Sequence, residues 1–190
     1  MFPRVSGVLL PIPCLPSPFG IGDLGPGAYR FADYLHSTGQ RVWQILPLNP
    51  VTPAYQYSPY HGLSAFACNP LLVSPEQLVA EGLLDQGDIP SPELPADRID
   101  YAAVVRVKQR LLDKACARFR QRLAGEDYAR FCAENAAWLD DYALFAALNA
   151  RFPGTIWNRW PRDVQQRNPA ALTRLRTDVR DALEDYKIVQ

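Results

Sequence analysis

The chain has 190 residues, 48% of them apolar, which is enough to bury a core and fits one or two domains. Twenty basic residues balance twenty acidic ones without a long single-sign run, which argues against nucleic acid and anionic membrane surfaces as partners. Two histidines, His36 and His61, exclude a His-rich metal site, no Asp/Asn-rich loop suggests a cation site, and no cofactor is expected.

The N-terminus, residues 1–7, reads as no signal peptide, because the apolar run after it is short and broken by prolines. No stretch reaches the ~20 apolar residues of a membrane span. Cys14, Cys68, Cys116 and Cys132 lie far apart and fit neither a CxxC pair nor a disulfide scaffold. They are expected as reduced, mostly buried thiols of a cytoplasmic protein.

Val8-Leu9-Leu10, ended by Pro11, is the first strand candidate. Residues 16–25 form a Pro- and Gly-rich loop. Pro26 suits the first position of a helix, Ala28, Phe31, Ala32 and Leu35 share one of its faces, and Gly39 is a natural stop. Val42–Leu46 is the second strand candidate. Strand, helix, strand make a βαβ unit, and the continuous apolar strands read as parallel and covered on both faces.

A long loop follows, with Pro50, Pro53, Pro59 and Pro70 among Tyr55, Tyr57 and Tyr60. Ordinary connections run ~4–6 residues, and a longer structured one on a strand end is usually functional. Leu71-Leu72-Val73 reads as a third short extended piece. Ser74-Pro75-Glu76-Gln77 is a helix start, and that helix should end near Gly82. Residues 85–99 are a Pro- and Asp-rich connector.

From Tyr101 the texture is helical. Tyr101, Val104, Val105, Leu111, Leu112, Cys116, Phe119 and Leu123 make one apolar stripe. After Gly125 a single helix should carry Tyr128, Phe131, Trp138, Tyr142, Phe145 and Leu148. A loop at 152–161 breaks it. Asn168 caps a last helix through Pro169, with Leu172, Leu175, Val179, Leu183 and Tyr186 on one face. The expected division is an α/β part at 1–74 and a helical part at 75–190. Two or three strands are too few to bury both faces of a parallel sheet, and a (β/α)8 barrel takes ~250 residues. The chain therefore reads as the beginning of a longer fold, stopping inside a helical pattern at Lys187-Ile188-Val189-Gln190.

Several ordered motifs carry a family resemblance. They are Ser6-Gly7-Val8-Leu9-Leu10, Pro18-Phe19-Gly20-Ile21-Gly22-Asp23-Leu24-Gly25, Trp43-Gln44-Ile45-Leu46-Pro47-Leu48, Ser58-Pro59-Tyr60, Ser64-Ala65-Phe66-Ala67 with Asn69-Pro70, Trp138-Leu139-Asp140-Asp141-Tyr142-Ala143-Leu144-Phe145 and Trp157-Asn158-Arg159-Trp160-Pro161. Together they resemble the N-terminal portion of the 4-alpha-glucanotransferases, also called amylomaltases or disproportionating enzymes. The resemblance implies the start of a (β/α)8 barrel, two to three strands, with a mostly helical inserted subdomain. It implies cleavage of an α-1,4-glucan and transfer of the piece to a new 4-OH by a retaining mechanism. Such a mechanism uses a nucleophilic carboxylate and an acid/base carboxyl ~5–5.5 Å apart.

The family's nucleophile stands in an Arg-x-Asp-His segment, its acid/base in Glu-Asp-Leu and its stabilising aspartate in His-Asp-Asn. None of the three occurs here. Arg98-Ile99-Asp100 imitates the first, but Tyr101 follows, in a connector rather than at a strand end; Glu184-Asp185 is followed by tyrosine. No group in this chain is therefore assigned a catalytic role, and the chain alone is expected to be inactive. The expected partners are a maltodextrin and the remaining C-terminal part of the enzyme. The rival expectation is a non-catalytic α-glucan-binding or interaction module.

The candidate substrate contacts are Tyr60, Ser58, Tyr55 and His61. Tyr60 matches a family tyrosine that stacks on the sugar beside the cleavage point; otherwise it is a packed loop aromatic. Ser58 matches a groove residue or caps the Pro59-Tyr60 turn. Tyr55 rims a groove or is an exposed loop tyrosine. His61, where relatives often carry glutamine, hydrogen-bonds sugar hydroxyls or is a plain loop histidine. Asp23 reads as a turn or helix-start partner and Asn69 as a turn residue before Pro70. Trp157 and Trp160 read as anchors of a subdomain loop, with glucan contact the other option. Gly20, Gly22 and Gly25 spell G-x-G-x-x-G, but four prolines separate them from the strand, against a dinucleotide turn.

Overall fold

The computed structural model describes residues 4–89, 94–95, 97–122 and 125–190. Its contacts divide the chain into two compact units, Met1–Arg118 and Phe119–Gln190. This division falls inside a helix.

In the first unit, β1 (Gly7–Leu9) and β2 (Val42–Gln44) pair in parallel, with Gly7 opposite Val42 and Leu9 opposite Gln44. The crossover is α1 (Pro26–Ser37), which starts on Pro26 and stops before Gly39 as its sequence dictates. Ala28 and Leu35 of α1 are buried, whereas Ala32 of the same predicted stripe is exposed. Ile12, Leu15, Ala28 and Leu72 form the core beneath the sheet, with Phe31, Trp43 and Leu48 half-buried against them. Trp43 meets Phe31 edge-on at 4.9 Å, and its indole N–H donates to the Leu10 carbonyl at 2.8 Å.

β1 has the predicted length, one residue earlier, and β2 is two residues shorter than predicted; they are not covered on both faces, with Leu9 56% and Val42 45% exposed. One crossover helix covers one face only. The third extended piece, Leu71–Val73, is instead a 3₁₀ turn, Pro70–Leu72. Asn69 enforces it by accepting the Leu71 N–H at 3.1 Å, which bends the backbone into a turn before a ladder can form.

Helix α2 (Pro75–Ala80) begins as predicted, with Ser74 accepting the Gln77 N–H. Helix α3 (Tyr101–Gln121) buries Val104, Leu111, Leu112 and Cys116 of the expected stripe and also Lys108. Leu123 of that stripe lies outside the described residues. Leu84, Leu111 and Ala115 form one cluster with α3, and Ile21, Leu71 and Val104 another. These contacts bind α2 and most of α3 into the first unit.

The second unit contains α4 (Glu126–Glu134), α5 (Ala136–Arg151), α6 (Arg162–Gln165), α7 (Pro169–Asp178) and α8 (Arg180–Val189). Its core is Leu144, Ala147, Leu148, Trp160, Val164, Leu175 and Val179. The helix expected to run unbroken after Gly125 is two helices. Asn135 breaks it: its amide donates to the Phe131 carbonyl at 2.9 Å, and its side-chain oxygen accepts the Trp138 indole N–H at 3.0 Å. The last predicted helix is likewise divided, at Val179, while Asn168 caps α7 as expected, accepting from Ala170 and Ala171 N–H at 3.1 and 3.2 Å.

The cysteines are mostly not buried: Cys14 and Cys68 are exposed, Cys132 is half-buried and Cys116 alone is buried. Cys14 ends a 3₁₀ turn, Ile12–Cys14, and Cys68 lies in the irregular chain before Asn69, both with exposed side chains. No described helix is long and apolar enough to cross a membrane.

Candidate functional site

The loop after β2 is a chain of short turns rather than a free excursion. Pro53–Tyr55, Pro59–His61 and Pro70–Leu72 are 3₁₀ turns, each started by a proline whose fixed φ suits that position. Ser58 accepts the Tyr60 N–H at 3.4 Å, and Asn49 donates its amide to the Pro59 carbonyl at 3.3 Å. Ser64 accepts the N–H groups of Phe66 and Ala67, both at 3.1 Å. The Asn69 N–H returns to the Leu48 carbonyl at 2.7 Å and closes the loop onto the end of the strand segment.

On this frame Tyr60 stands 68% exposed. A phenol ring held outward by a capped turn offers an apolar face and a hydroxyl to a ligand. Tyr55, also exposed, stacks on His61 with ring centroids 5.2 Å apart and planes 14° from parallel. The structure thus brings Tyr55 and His61 together as one flat pair, while Ser58 acts on Tyr60 through its backbone.

Gln56 and Tyr57 both have left-handed backbones, φ 53° and 57°. Such conformations cost a non-glycine residue of order 1–3 kcal/mol. Tyr57 recovers part of this by stacking on Tyr101, with centroids 4.3 Å apart and planes 7° from parallel. Burial, then the nearby Cys14 and Tyr57, push the Tyr101 phenol above its ordinary pKa. Tyr57 therefore anchors the loop, a role that no local sequence signal announces. Tyr101 also borders a cavity of about 580 Å³ with Cys14, Arg98 and Ile99.

The glycines of the G-x-G-x-x-G stretch are explained by packing. A Cβ at Gly22 would meet the Ile12 carbonyl at 2.1 Å, and one at Gly25 the Ser74 hydroxyl at 2.1 Å. Asp23 is a helix-start partner, as expected, accepting the Gly25 N–H at 3.1 Å, but it does more. Its other oxygen takes a 2.8 Å ion pair from Lys108, with the two side chains 6% and 1% exposed. Lys108 also donates to the Val73 carbonyl at 2.7 Å. This buried clamp joins the first loop, the end of the tyrosine loop and α3. Sequence reading missed it because Lys108 sits in a helix among other basic residues.

Asp100 accepts the Ala103 N–H at 3.0 Å at the entry to α3, the position of a helix cap rather than of a nucleophile. Among the described residues no group of His, Cys, Asp and Glu side chains forms a metal cluster. Trp160 is buried and donates to the Thr155 carbonyl at 3.0 Å, which anchors its loop, whereas Trp157 is 58% exposed.

Comparison with known proteins matches residues 10–190 to the family model described as 4-alpha-glucanotransferase. The 4-alpha-glucanotransferase of Synechocystis is 42% identical over 188 residues, covering 93% of this chain and 36% of its own length. That of Aquifex aeolicus is 38% identical over 187 residues, covering 98% of this chain and 37% of its own length. Among solved structures, the amylomaltase from Streptococcus agalactiae in complex with acarbose superposes with a TM-score of 0.92 at 31% identity, over 99% of this chain and 38% of that one. The chain thus spans between a third and two-fifths of the length of these relatives. With the model matching nearly the whole chain, the protein belongs to the 4-alpha-glucanotransferase family.

Proposed function

We propose that residues 1–74 supply the first part of a (β/α)8 barrel and residues 75–190 its helical insertion, in a retaining 4-alpha-glucanotransferase. The loop after β2 is then one wall of a groove for an α-1,4-glucan. Tyr60 stacks on a glucosyl ring, Ser58 holds the Tyr60 backbone, and Tyr55 with His61 rims the groove and offers hydrogen bonds to hydroxyls. The observation that carries this reading is Tyr60, a tyrosine 68% exposed on a turn rigidified by Ser58, within the family's motif. The wide spacing of the four cysteines supports a cytoplasmic setting.

Retaining transfer needs two carboxyl groups ~5–5.5 Å apart across the scissile bond. The three carboxylate segments that the family uses have no counterpart in these 190 residues. The chain's own contribution is therefore to bind and orient sugar. Bond cleavage requires the remaining part of the enzyme, supplied in the same polypeptide or in trans.

The test is transfer from maltotriose, read as glucose and longer maltodextrins, with the chain alone and with the remaining sequence added in trans. Activity only in trans is expected, and Tyr60→Ala should lower it by about tenfold or more, since stacking on an aromatic ring contributes of order 1 kcal/mol beyond its area. Transfer by the chain alone overturns the assigned division of labour. Undiminished transfer by Tyr60→Ala overturns the groove assignment.

A further inference from the structure

The second unit holds a pocket of about 340 Å³, formed by the loop at 152–161 with α5, α6 and α7. Its floor is apolar, with Leu148 and the ring of Phe145, which lies 5.6 Å from that of Trp160. Its rim carries Trp157 and the pair Asp141–Arg167, joined at 2.7 Å and largely exposed.

Trp157 is the odd one among the tryptophans. Trp43, Trp138 and Trp160 each donate the indole N–H to an oxygen within the fold, at 2.8, 3.0 and 3.0 Å. Trp157 has no such partner among the described residues and is 58% exposed. A large aromatic face and an unused donor sit side by side at the mouth of a pocket. Arg167, moreover, adopts a left-handed backbone, φ 52°, a conformation unusual for arginine, and from there reaches Asp141.

We infer that this pocket binds the end of an α-glucan chain, with Trp157 as the stacking platform and Asp141 and Arg167 as the hydroxyl-binding rim. A pyranose presents a C–H face that covers an indole and an edge of vicinal hydroxyls that both accept and donate. The pocket matches that division: ring and apolar floor on one side, a carboxylate and a planar guanidinium on the other. Its volume is at the small end of the ~300–1,000 Å³ range of ligand sites, sized for one or two sugar rings rather than a protein helix. An apolar protein partner would have to strip water from an exposed ion pair, which a sugar replaces with hydrogen bonds. The site consists wholly of second-unit residues and shares none with the Tyr60 loop. It deepens the α-glucan reading, as a second hold on a long substrate.

The test follows the four indole N–H signals of the 190-residue chain by NMR during titration with maltotriose, each signal assigned by a single Trp→Phe substitution. The Trp157 signal should shift saturably, in the Tyr60→Ala variant as in the parent chain. Asp141→Asn should weaken the apparent affinity read from that shift by about tenfold, the loss of a charged acceptor. Retention of the other three indole signals shows that each variant is folded. A Trp157 signal unmoved by maltotriose, in a chain that supports Tyr60-dependent transfer in trans, overturns this site and leaves the proposed function standing. A saturable Trp157 shift without any transfer in trans supports the site and counts against the transferase reading instead.

Discussion

Replacement of Lys108 by methionine isolates the contribution of the buried clamp. Methionine keeps most of the apolar stem but loses the ammonium's place over the Phe19 ring, whose centre lies 5.3 Å from it. What is lost is the charge. Asp23, 6% exposed, is left without its counterion, and the Val73 carbonyl loses a 2.7 Å donor. Removing one member of a buried ion pair costs ~3–5 kcal/mol, because the other charge remains desolvated. Against a total stability of ~5–15 kcal/mol for a domain, that is a large share.

The intact pair is worth far less than that figure. Burial holds the Lys108 pKa below the ordinary lysine value despite the opposing pull of Asp23, so desolvation consumes much of the attraction. The double change Lys108→Met with Asp23→Asn removes both charges while the asparagine oxygen still accepts from Gly25. It should recover most of the loss. Urea unfolding followed by circular dichroism measures both variants. A Lys108→Met chain within ~1 kcal/mol of the parent, or a double variant no better than the single one, refutes the reasoning.

Further outcomes follow from the same geometry. Asn168→Ala removes the acceptor of two N–H groups at the start of α7 and should cost about 1 kcal/mol, seen as a lower Tm. Trp160→Ala empties the centre of the second unit's core and should cost ~3–5 kcal/mol by urea unfolding, whereas Trp157→Ala should stay within ~0.5 kcal/mol. The pKa of Tyr101 is raised, mainly by burial, and that of Tyr128 by burial and then by its hydrogen bond to Glu184. Raised phenol pKa values favour the folded chain fully below the unfolded value of about 10, and the contribution falls away as pH rises beyond it. Stability should therefore decline above about pH 10, with a shallower decline in Tyr101→Phe and Tyr128→Phe, measured by denaturation at a series of pH values.

What was legible in the sequence was mostly local. Pro26, Ser74-Pro75 and Asn168-Pro169 each fix a helix start within four residues, and the structure has all three. The family was readable for a different reason, as several motifs recur in one order. What was not legible depends on partners distant in the chain. Lys108 meets Asp23 across 85 residues, and nothing near Lys108 distinguishes it from a surface lysine. Tyr57 is not among the candidate contacts, and nothing near it in sequence shows its anchoring role, because its partner, Tyr101, lies beyond the whole of α2. Asn135 was passed over because the apolar stripe continues through it, and only its two side-chain hydrogen bonds turn it into a break. Leu71–Val73 was misread because an apolar triplet has the same composition in a buried turn as in a strand, although Asn69-Pro70 before it held the answer.

That last pair belongs to a device used five times among the described residues: Ser17-Pro18, Ser58-Pro59, Asn69-Pro70, Ser74-Pro75 and Asn168-Pro169 each join a side-chain acceptor to a proline at the first position of a turn or helix. Its consequence lies partly in the unfolded chain. Each proline narrows what the disordered chain can sample, an effect of ~0.4–1 kcal/mol where the native φ suits it. Two of the five shape the loop that carries Tyr60. The ordering of that loop is thus largely complete in the free chain, and a ligand meeting it loses little affinity to freezing the backbone. Pro59→Ala should leave the fold intact yet let the loop wander, so that on the proposed function a weaker hold on sugar would come from lost stiffness rather than from a lost side chain.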